Sequence, residues 1–118
     1  MDRTARIAEE IKREVSALIQ HGIKDPRLGE VVSITGVTVT RDLRHARILV
    51  SVLGGEERRK EVQQALASAS GYIRREIGTR IRLRYVPEFH FEMDDSIEHG
   101  IYISKLIDKV TRGDGNGD

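Results

Sequence analysis

The chain has 118 residues, which is enough for one domain with a modest hydrophobic core. It contains no cysteine, which excludes disulfides, thiolate nucleophiles and cysteine-based zinc sites and is compatible with the reducing cytoplasm, where we expect the protein. The formal net charge of +1 indicates no particular class of partner, and the charged N-terminus and the absence of a long apolar run predict neither a signal peptide nor a membrane span.

The first segment predicts an amphipathic helix that ends at Gly22. Gly22 is suited to the left-handed position that closes a helix, and Pro26 and Gly29 then predict an irregular loop. Charged residues separate the apolar residues, which recur at helical spacing. The apolar stripe consists of Ile7, Ile11, Val15, Leu18 and Ile19.

Two β-branched segments, 31–40 and 46–53, predict an antiparallel hairpin with a short connecting turn. Gly36 breaks the alternation of the first segment, which indicates a bulge. The second segment places its apolar residues on one face. These residues are Ala46, Ile48, Val50 and Val52.

The next segment, from Glu56 to Gly78, predicts a helix with a break at Gly71. Its apolar stripe continues across the glycine, so both halves belong to one packing face. A glycine in a helix interior costs roughly 1 kcal/mol relative to alanine and permits a change of direction. We therefore expect a second half-helix that begins at Tyr72 and whose free N–H groups could meet a phosphate; a plain helix boundary at Gly71 is the alternative.

From Arg80 to Met93 apolar and polar residues alternate, which predicts a long third strand with Pro87 at an edge or a bulge. Arg80, Arg82 and Arg84 are predicted to share one face of this strand, and Leu83 and Tyr85 the other, apolar face. Residues 95–110 predict a final helix with Asp95 as its N-cap. The predicted fold class is therefore α+β, with the order helix, strand, strand, helix–kink–helix, strand, helix around one small mixed three-stranded sheet. The polar segment 112–118 predicts a disordered tail.

Opposite charges are concentrated in two neighbouring segments. Five arginines against one glutamate give residues 74–84 a local balance of +4, and five acidic residues without Lys or Arg give residues 88–98 a balance of −5. Arginine binds phosphate in a bidentate manner, so the basic side is predicted to face RNA. A solvated strand face that discourages aggregation is the alternative, and the five aromatic residues are too few for a row of stacked bases.

The order of elements is that of a type II KH domain, a module that binds nucleic acid. Where a KH domain carries a GXXG loop, this chain has Ala69-Ser70-Gly71, an A-x-G pattern. Two longer motifs follow it along the chain: R-x-x-P-x-F-x-F from Arg84 and D-x-S-I-x-x-G-x-x-I from Asp94. With these motifs, the chain resembles the ribosome-binding factor A family over residues 3 to about 110.

The resemblance implies a KH type II-like RNA-binding domain at residues 1–111, followed by the tail. It implies a ribosome biogenesis factor that binds free or immature 30S subunits and 16S rRNA, supports 16S rRNA 5′-end maturation and late 30S assembly, and is important in the cold. It also implies a monomer without catalytic residues, for which ribosomal proteins and an assembly GTPase are open as further partners. The acidic side is predicted to face away from RNA or toward a basic ribosomal protein. The A-x-G residues come from the resemblance and the arginines from the charge pattern; together the predicted RNA-binding residues are Ala69, Ser70, Gly71, Arg74, Arg75, Arg80, Arg82 and Arg84.

No enzyme, cofactor or metal site is expected from the sequence. The four histidines show no metal-ligand spacing, and Gly54 and Gly55 are followed by two glutamates, which would repel a phosphate. The alternative function is a protein–protein adaptor that uses the sheet and the acidic stretch 88–98.

Overall fold

A computed structural model describes residues 2–28 and 32–94. In chain order the elements are helix α1 (Arg3–Ala17), a π-helical turn (Leu18–Gly22), strands β1 (Val32–Val39) and β2 (His45–Val52), helix α2 (Glu56–Arg80) and strand β3 (Glu88–Met93). Strand β2 is central, antiparallel to β1 and parallel to β3. The predicted α+β class with a small mixed three-stranded sheet is therefore confirmed, whereas the predicted last helix and tail lie outside the described residues.

Helices α1 and α2 cover the same face of the sheet and close the core. Helix α1 packs on β1, and α2 packs on β3 and α1. The outer face, opposite the helices, carries charged side chains such as Arg47 and Glu92, which form an ion pair of 2.8 Å. Within the described ranges, neither helix is both long and apolar enough to cross a bilayer.

Helix α1 starts at a side-chain cap and ends differently from the prediction. The Oδ1 atom of Asp2 accepts hydrogen bonds of 2.8 Å from the Ala5 amide and from the Thr4 hydroxyl, and these bonds hold the pKa of Asp2 below its usual range. The predicted left-handed Gly22 is wrong, because the helix continues into a π-helical turn and Gly22 has no positive φ. An added Cβ at Gly22 would lie 2.6 Å from Cδ1 of the buried Leu18, so that side chain would have to shift.

The hairpin is confirmed together with its bulge. The pairing register shifts between Ile34 and Gly36, so Thr35 is the extra residue on β1. Buried positions consequently change from even numbers, at Val32 and Ile34, to odd, at Val39. On β2 the predicted inward face is buried throughout: Ala46, Ile48, Val50 and Val52.

Helix α2 is one continuous helix of 25 residues, and the predicted break at Gly71 is wrong. Ser70 donates its hydroxyl to the carbonyl of Ala67 at 3.1 Å, a bond that a helix accommodates. The buried stripe continues on both sides of Gly71 and belongs to one core. Because packing along this stripe stabilises the whole helix, the cost of a single glycine does not interrupt it.

Strand β3 is shorter than predicted. Arg80 is the last residue of α2, residues 81–87 form an irregular loop, and the strand pairs with β2 only from Glu88 onwards. Pro87 is buried and has no N–H to donate, so the ladder begins after it. The Glu88 amide then donates to the carbonyl of Arg44 at 2.8 Å.

We expect Gly71→Ala to raise the free energy of unfolding by about 0.5–1 kcal/mol, because Gly71 is helical and exposed and nothing lies within 4 Å of an added Cβ. Gly78→Ala is the matched control in the same helix, since its Cβ would lie 2.9 Å from Cγ2 of Val86 and offset the gain. Urea titration of both variants measures the difference. A Gly71→Ala protein less stable than the wild type would mean that residue 71 is not helical in solution.

Candidate nucleic-acid interface

The structure brings two of the predicted arginines, Arg74 and Arg84, together in a cleft of about 720 Å³. The cleft lies between α2, the 81–87 loop, the turn before β2 and the start of α1. We call it the arginine cleft. Its polar and charged lining consists of Arg3, Asp42, Arg44, Arg74, Arg84 and Tyr85. Four arginines against one aspartate give the lining a net positive charge, which suits an anionic ligand.

A hydrogen bond from α2 holds the loop wall of the cleft. The Nη2 atom of Arg74 donates to the carbonyl oxygen of Val86 at 2.9 Å. The loop lies outside the β-ladder, so this bond gives it a fixed attachment to the helix. Arg74 thus combines a structural contact with a place in the lining.

The turn before β2 holds the opposite wall. The Oδ1 atom of Asp42 accepts from the Thr40 hydroxyl at 2.7 Å and from the Arg44 amide at 3.1 Å. The hydrogen bond from the Thr40 hydroxyl has the larger effect and that from the Arg44 amide the smaller one. Both hold the pKa of Asp42 below its usual range, so the carboxylate stays ionised at neutral pH. Leu43 has a φ of 61°, which bends the chain so that Arg44 reaches the cleft.

Tyr85 is an exposed aromatic residue at the rim of the cleft. The sequence pattern placed it with Leu83 on the apolar face of the third strand. Tyr85 is instead 72% exposed, because β3 begins only at Glu88. The guanidinium carbon of Arg84 lies 5.6 Å from the centre of its ring. A tyrosine beside an arginine offers a base a stacking surface and its phosphate a cation.

A shallower groove of about 500 Å³ continues the cleft along α2. Gly71, Arg75 and Gly78 line it, together with residues of the arginine cleft. Gly71 therefore contributes an open, side-chain-free surface, whereas the predicted kink and its free amides are absent. Arg75 is exposed and forms no ion pair with another residue in the described ranges. Ala69 and Ser70 are half-buried on the same helix and do not line the groove.

Arg80 and Arg82 line neither the arginine cleft nor its groove. Arg80 lies between the helices, with Nη1 at 3.5 Å from Glu14 and Nη2 at 3.7 Å from Glu76. Arg82 lines a neighbouring depression on α1, which shares Arg3 and Leu83 with the arginine cleft. The prediction that Arg80, Arg82 and Arg84 share one strand face is wrong, because α2 extends through Arg80 and the loop that follows is not a strand.

Three residues of the cleft were missed by sequence reasoning: Arg3, Arg44 and Tyr85. Arg3 and Arg44 are far from Arg74 in the sequence, and only the fold brings them together. The one local signal was Pro87, which argues against an unbroken strand and so against a buried Tyr85. The lining offers cations, apolar surface and one phenol, which suits the binding of a phosphate–ribose chain.

The family described as ribosome-binding factor A matches residues 3–107. The chain belongs to this family. A ribosome-binding factor A from Acetivibrio thermocellus is 57% identical over 111 residues, which are 94% of this chain and 90% of that protein.

Solved structures agree with the fold. The solution structure of a Thermotoga maritima protein, described as a candidate ribosome binding factor A, is 34% identical with a TM-score of 0.69 and covers 76% of this chain and 85% of that one. A homology model of Thermus thermophilus ribosome binding factor A, fitted into a cryo-EM map of a 30S complex, is 22% identical with a TM-score of 0.61 and covers 75% of this chain and 91% of that one. At that identity the second likeness shows the fold alone.

We expect Arg74→Gln to loosen the 81–87 loop, because it removes the hydrogen bond to Val86. The loss of free energy of unfolding is expected to be about 0.5–1.5 kcal/mol, with lower ¹⁵N order parameters at residues 84–86. Arg75→Gln, at the neighbouring and exposed position without such a bond, is the control and should leave both quantities unchanged. Equal effects of the two substitutions would show that the hydrogen bond from Arg74 to Val86 does not hold the loop.

Proposed function

We propose that this protein is a non-enzymatic ribosome biogenesis factor that binds 16S rRNA in free or immature 30S subunits through the arginine cleft and its groove along α2. In this role it supports 16S rRNA 5′-end maturation and late 30S assembly in the cytoplasm, most importantly in the cold, and acts as a monomer. The observation that carries the proposal is the convergence of Arg3, Arg44, Arg74 and Arg84 beside the exposed Tyr85.

The chemistry of the cleft supports RNA as the ligand. Guanidinium groups bind phosphate oxygens in a bidentate manner, and several at once can follow a backbone. Tyr85, the tyrosine in the lining of the cleft, allows one unpaired base to stack, which suits a structured RNA with a loop or bulge better than a long single strand. Family membership and the Thermus relative fitted into a 30S complex agree with this proposal.

Of the predicted RNA-binding residues, those that line the cleft or its groove contact the RNA directly in this proposal. They are Gly71, Arg74, Arg75 and Arg84. Ala69 and Ser70 support the surface from the helix, because they do not line the groove. Arg80 is assigned to the ion pair with Glu14 that connects the two helices, since its other partner, Glu76, lies on its own helix. Arg82 extends the basic surface towards the start of α1. Ribosomal proteins and an assembly GTPase are proposed as neighbours on the subunit.

The adaptor alternative receives less support. In the described part of the acidic stretch, Glu92 pairs with Arg47 at 2.8 Å and Glu88 lies 3.4 Å from His45. These contacts use carboxylates that a basic protein partner would need. Residues 95–98 of the stretch lie outside the described residues.

We expect the double variant Arg75→Gln/Arg84→Gln to bind purified 30S subunits at least about tenfold more weakly than the wild type, because it removes two phosphate contacts. Arg13→Gln/Lys60→Gln removes the same charge from exposed positions that line neither the cleft nor its groove. Co-sedimentation at fixed salt measures both affinities. Equal weakening by the two double variants would show that net charge, rather than the cleft, determines binding.

The salt dependence of 30S binding reports how many rRNA phosphates the protein contacts. Relative to the wild type, the slope of log K against log salt concentration for Arg75→Gln/Arg84→Gln should be less steep by roughly 1.4–1.8. The slope of Arg13→Gln/Lys60→Gln should equal that of the wild type. If the cleft variant binds weakly but keeps the wild-type slope, its arginines do not contact phosphates.

A further inference from the structure

Two histidines and a glutamate meet on the outer face of the sheet, where β2 and β3 run side by side. His45 lies on β2, and Glu88 and His90 lie on β3. One potential ligand atom from each of the three residues falls within 4.8 Å of the others. We propose that these side chains form a binding site for a divalent transition-metal ion, with Zn²⁺ as the best match.

The distances between the potential ligand atoms fit a tetrahedral ion. Nδ1 of His45 and Nε2 of His90 are 3.0 Å apart, and Oε2 of Glu88 is 3.4 Å from the first nitrogen and 3.5 Å from the second. Two ligands at the usual zinc distances of 2.0–2.1 Å are separated by roughly 3.3 Å in a tetrahedron. The three atoms thus form one face of that tetrahedron after the nitrogens move apart by a few tenths of an ångström.

The backbone under the cluster is fixed before any ion binds. His45 is directly opposite Glu88 in the parallel ladder. The Glu88 amide donates to the carbonyl of Arg44 at 2.8 Å, and the His45 amide donates to the hydroxyl of Thr40 at 3.1 Å. Only side-chain torsions have to adjust, which reduces the entropy cost of binding.

The chemistry of the ligand set selects the class of ion. Without metal, one N–H bridges the two imidazole nitrogens, and a metal ion takes the place of that proton. Two imidazoles with one carboxylate suit Zn²⁺ and its neighbours, whereas Mg²⁺ and Ca²⁺ prefer oxygen ligands. The three side chains are 46–62% exposed, so a water can complete the coordination.

The arginine beside the cluster on the outer face already has a carboxylate partner. Arg47, which is opposite His90 in the ladder, donates instead to Glu92 at 2.8 Å. Glu88 therefore keeps its carboxylate directed at the two imidazoles. The sequence suggested no metal site because its ligands come from two strands and no helical or short-loop spacing connects them.

The test is a calorimetric titration of the untagged full chain with ZnCl₂ at neutral pH. The wild type should bind one ion per chain, and His45→Gln, Glu88→Gln and His90→Gln should each weaken binding at least about tenfold. His21→Gln is the matched control, an exposed histidine at the π-helical turn, and should change the affinity by less than about twofold. Excess MgCl₂ should not displace the ion.

A thermal-unfolding series completes the test. Zinc should raise the Tm of the wild type and of His21→Gln, but not that of the three cluster variants, because only a native-state site stabilises by mass action. Absence of saturable zinc binding by the wild type would overturn the proposal. Equal weakening by His21→Gln and His90→Gln, or displacement of zinc by magnesium, would overturn it as well.

Discussion

The packing of α2 along its whole length positions the rest of the surface. Ile73 and Ile77 are completely buried, so the C-terminal half of the helix is held against the sheet as firmly as the half before Gly71. With 3.6 residues per turn, burying these two positions directs Arg74 and Arg75 outward. A helix broken at Gly71 would release both arginines from this arrangement.

The walls of the arginine cleft follow from that fixed helix. Arg74 attaches the 81–87 loop through the carbonyl of Val86, and Pro87 delays the start of β3. The delay leaves Tyr85 in a loop, where its ring is exposed beside Arg84. The first amide of β3 then binds the carbonyl of Arg44, which ties the opposite wall to the same strand. The buried residues of α2 thus fix the position of the arginines that line the cleft.

Local patterns in the sequence were sufficient for much of the fold. The alternation in β2 and the interrupted alternation at Gly36 of β1 predicted the hairpin and the bulge. Side chains of a strand point alternately to its two faces, and a bulge shifts this alternation by one residue. The stripe on α2 predicted one packing face for the same reason. The break at Gly71 was wrong because local propensity is a weak term and the continuous core overrides it.

The site was only partly predictable, because it depends on contacts that are distant in the sequence. Charge density pointed to Arg74 and Arg84 but also to Arg80, whose partner Glu14 lies 66 positions earlier in the chain. Arg3 and Arg44 carried no local signal at all. The histidine–glutamate cluster was hidden in the same way, since parallel pairing of two strands joined by a long helix creates it.

The most direct test of the proposal that the arginine cleft faces RNA is site-specific photo-crosslinking on purified 30S subunits. Tyr85→p-benzoylphenylalanine places the reactive group at the rim of the cleft, and Leu53→p-benzoylphenylalanine places it at another exposed position. Leu53 follows the end of β2, about 26 Å along the strand from His45 at its start. We expect a crosslink from position 85 to 16S rRNA and none from position 53. A crosslink to rRNA from position 53, with only protein or nothing crosslinked from position 85, would contradict the proposal.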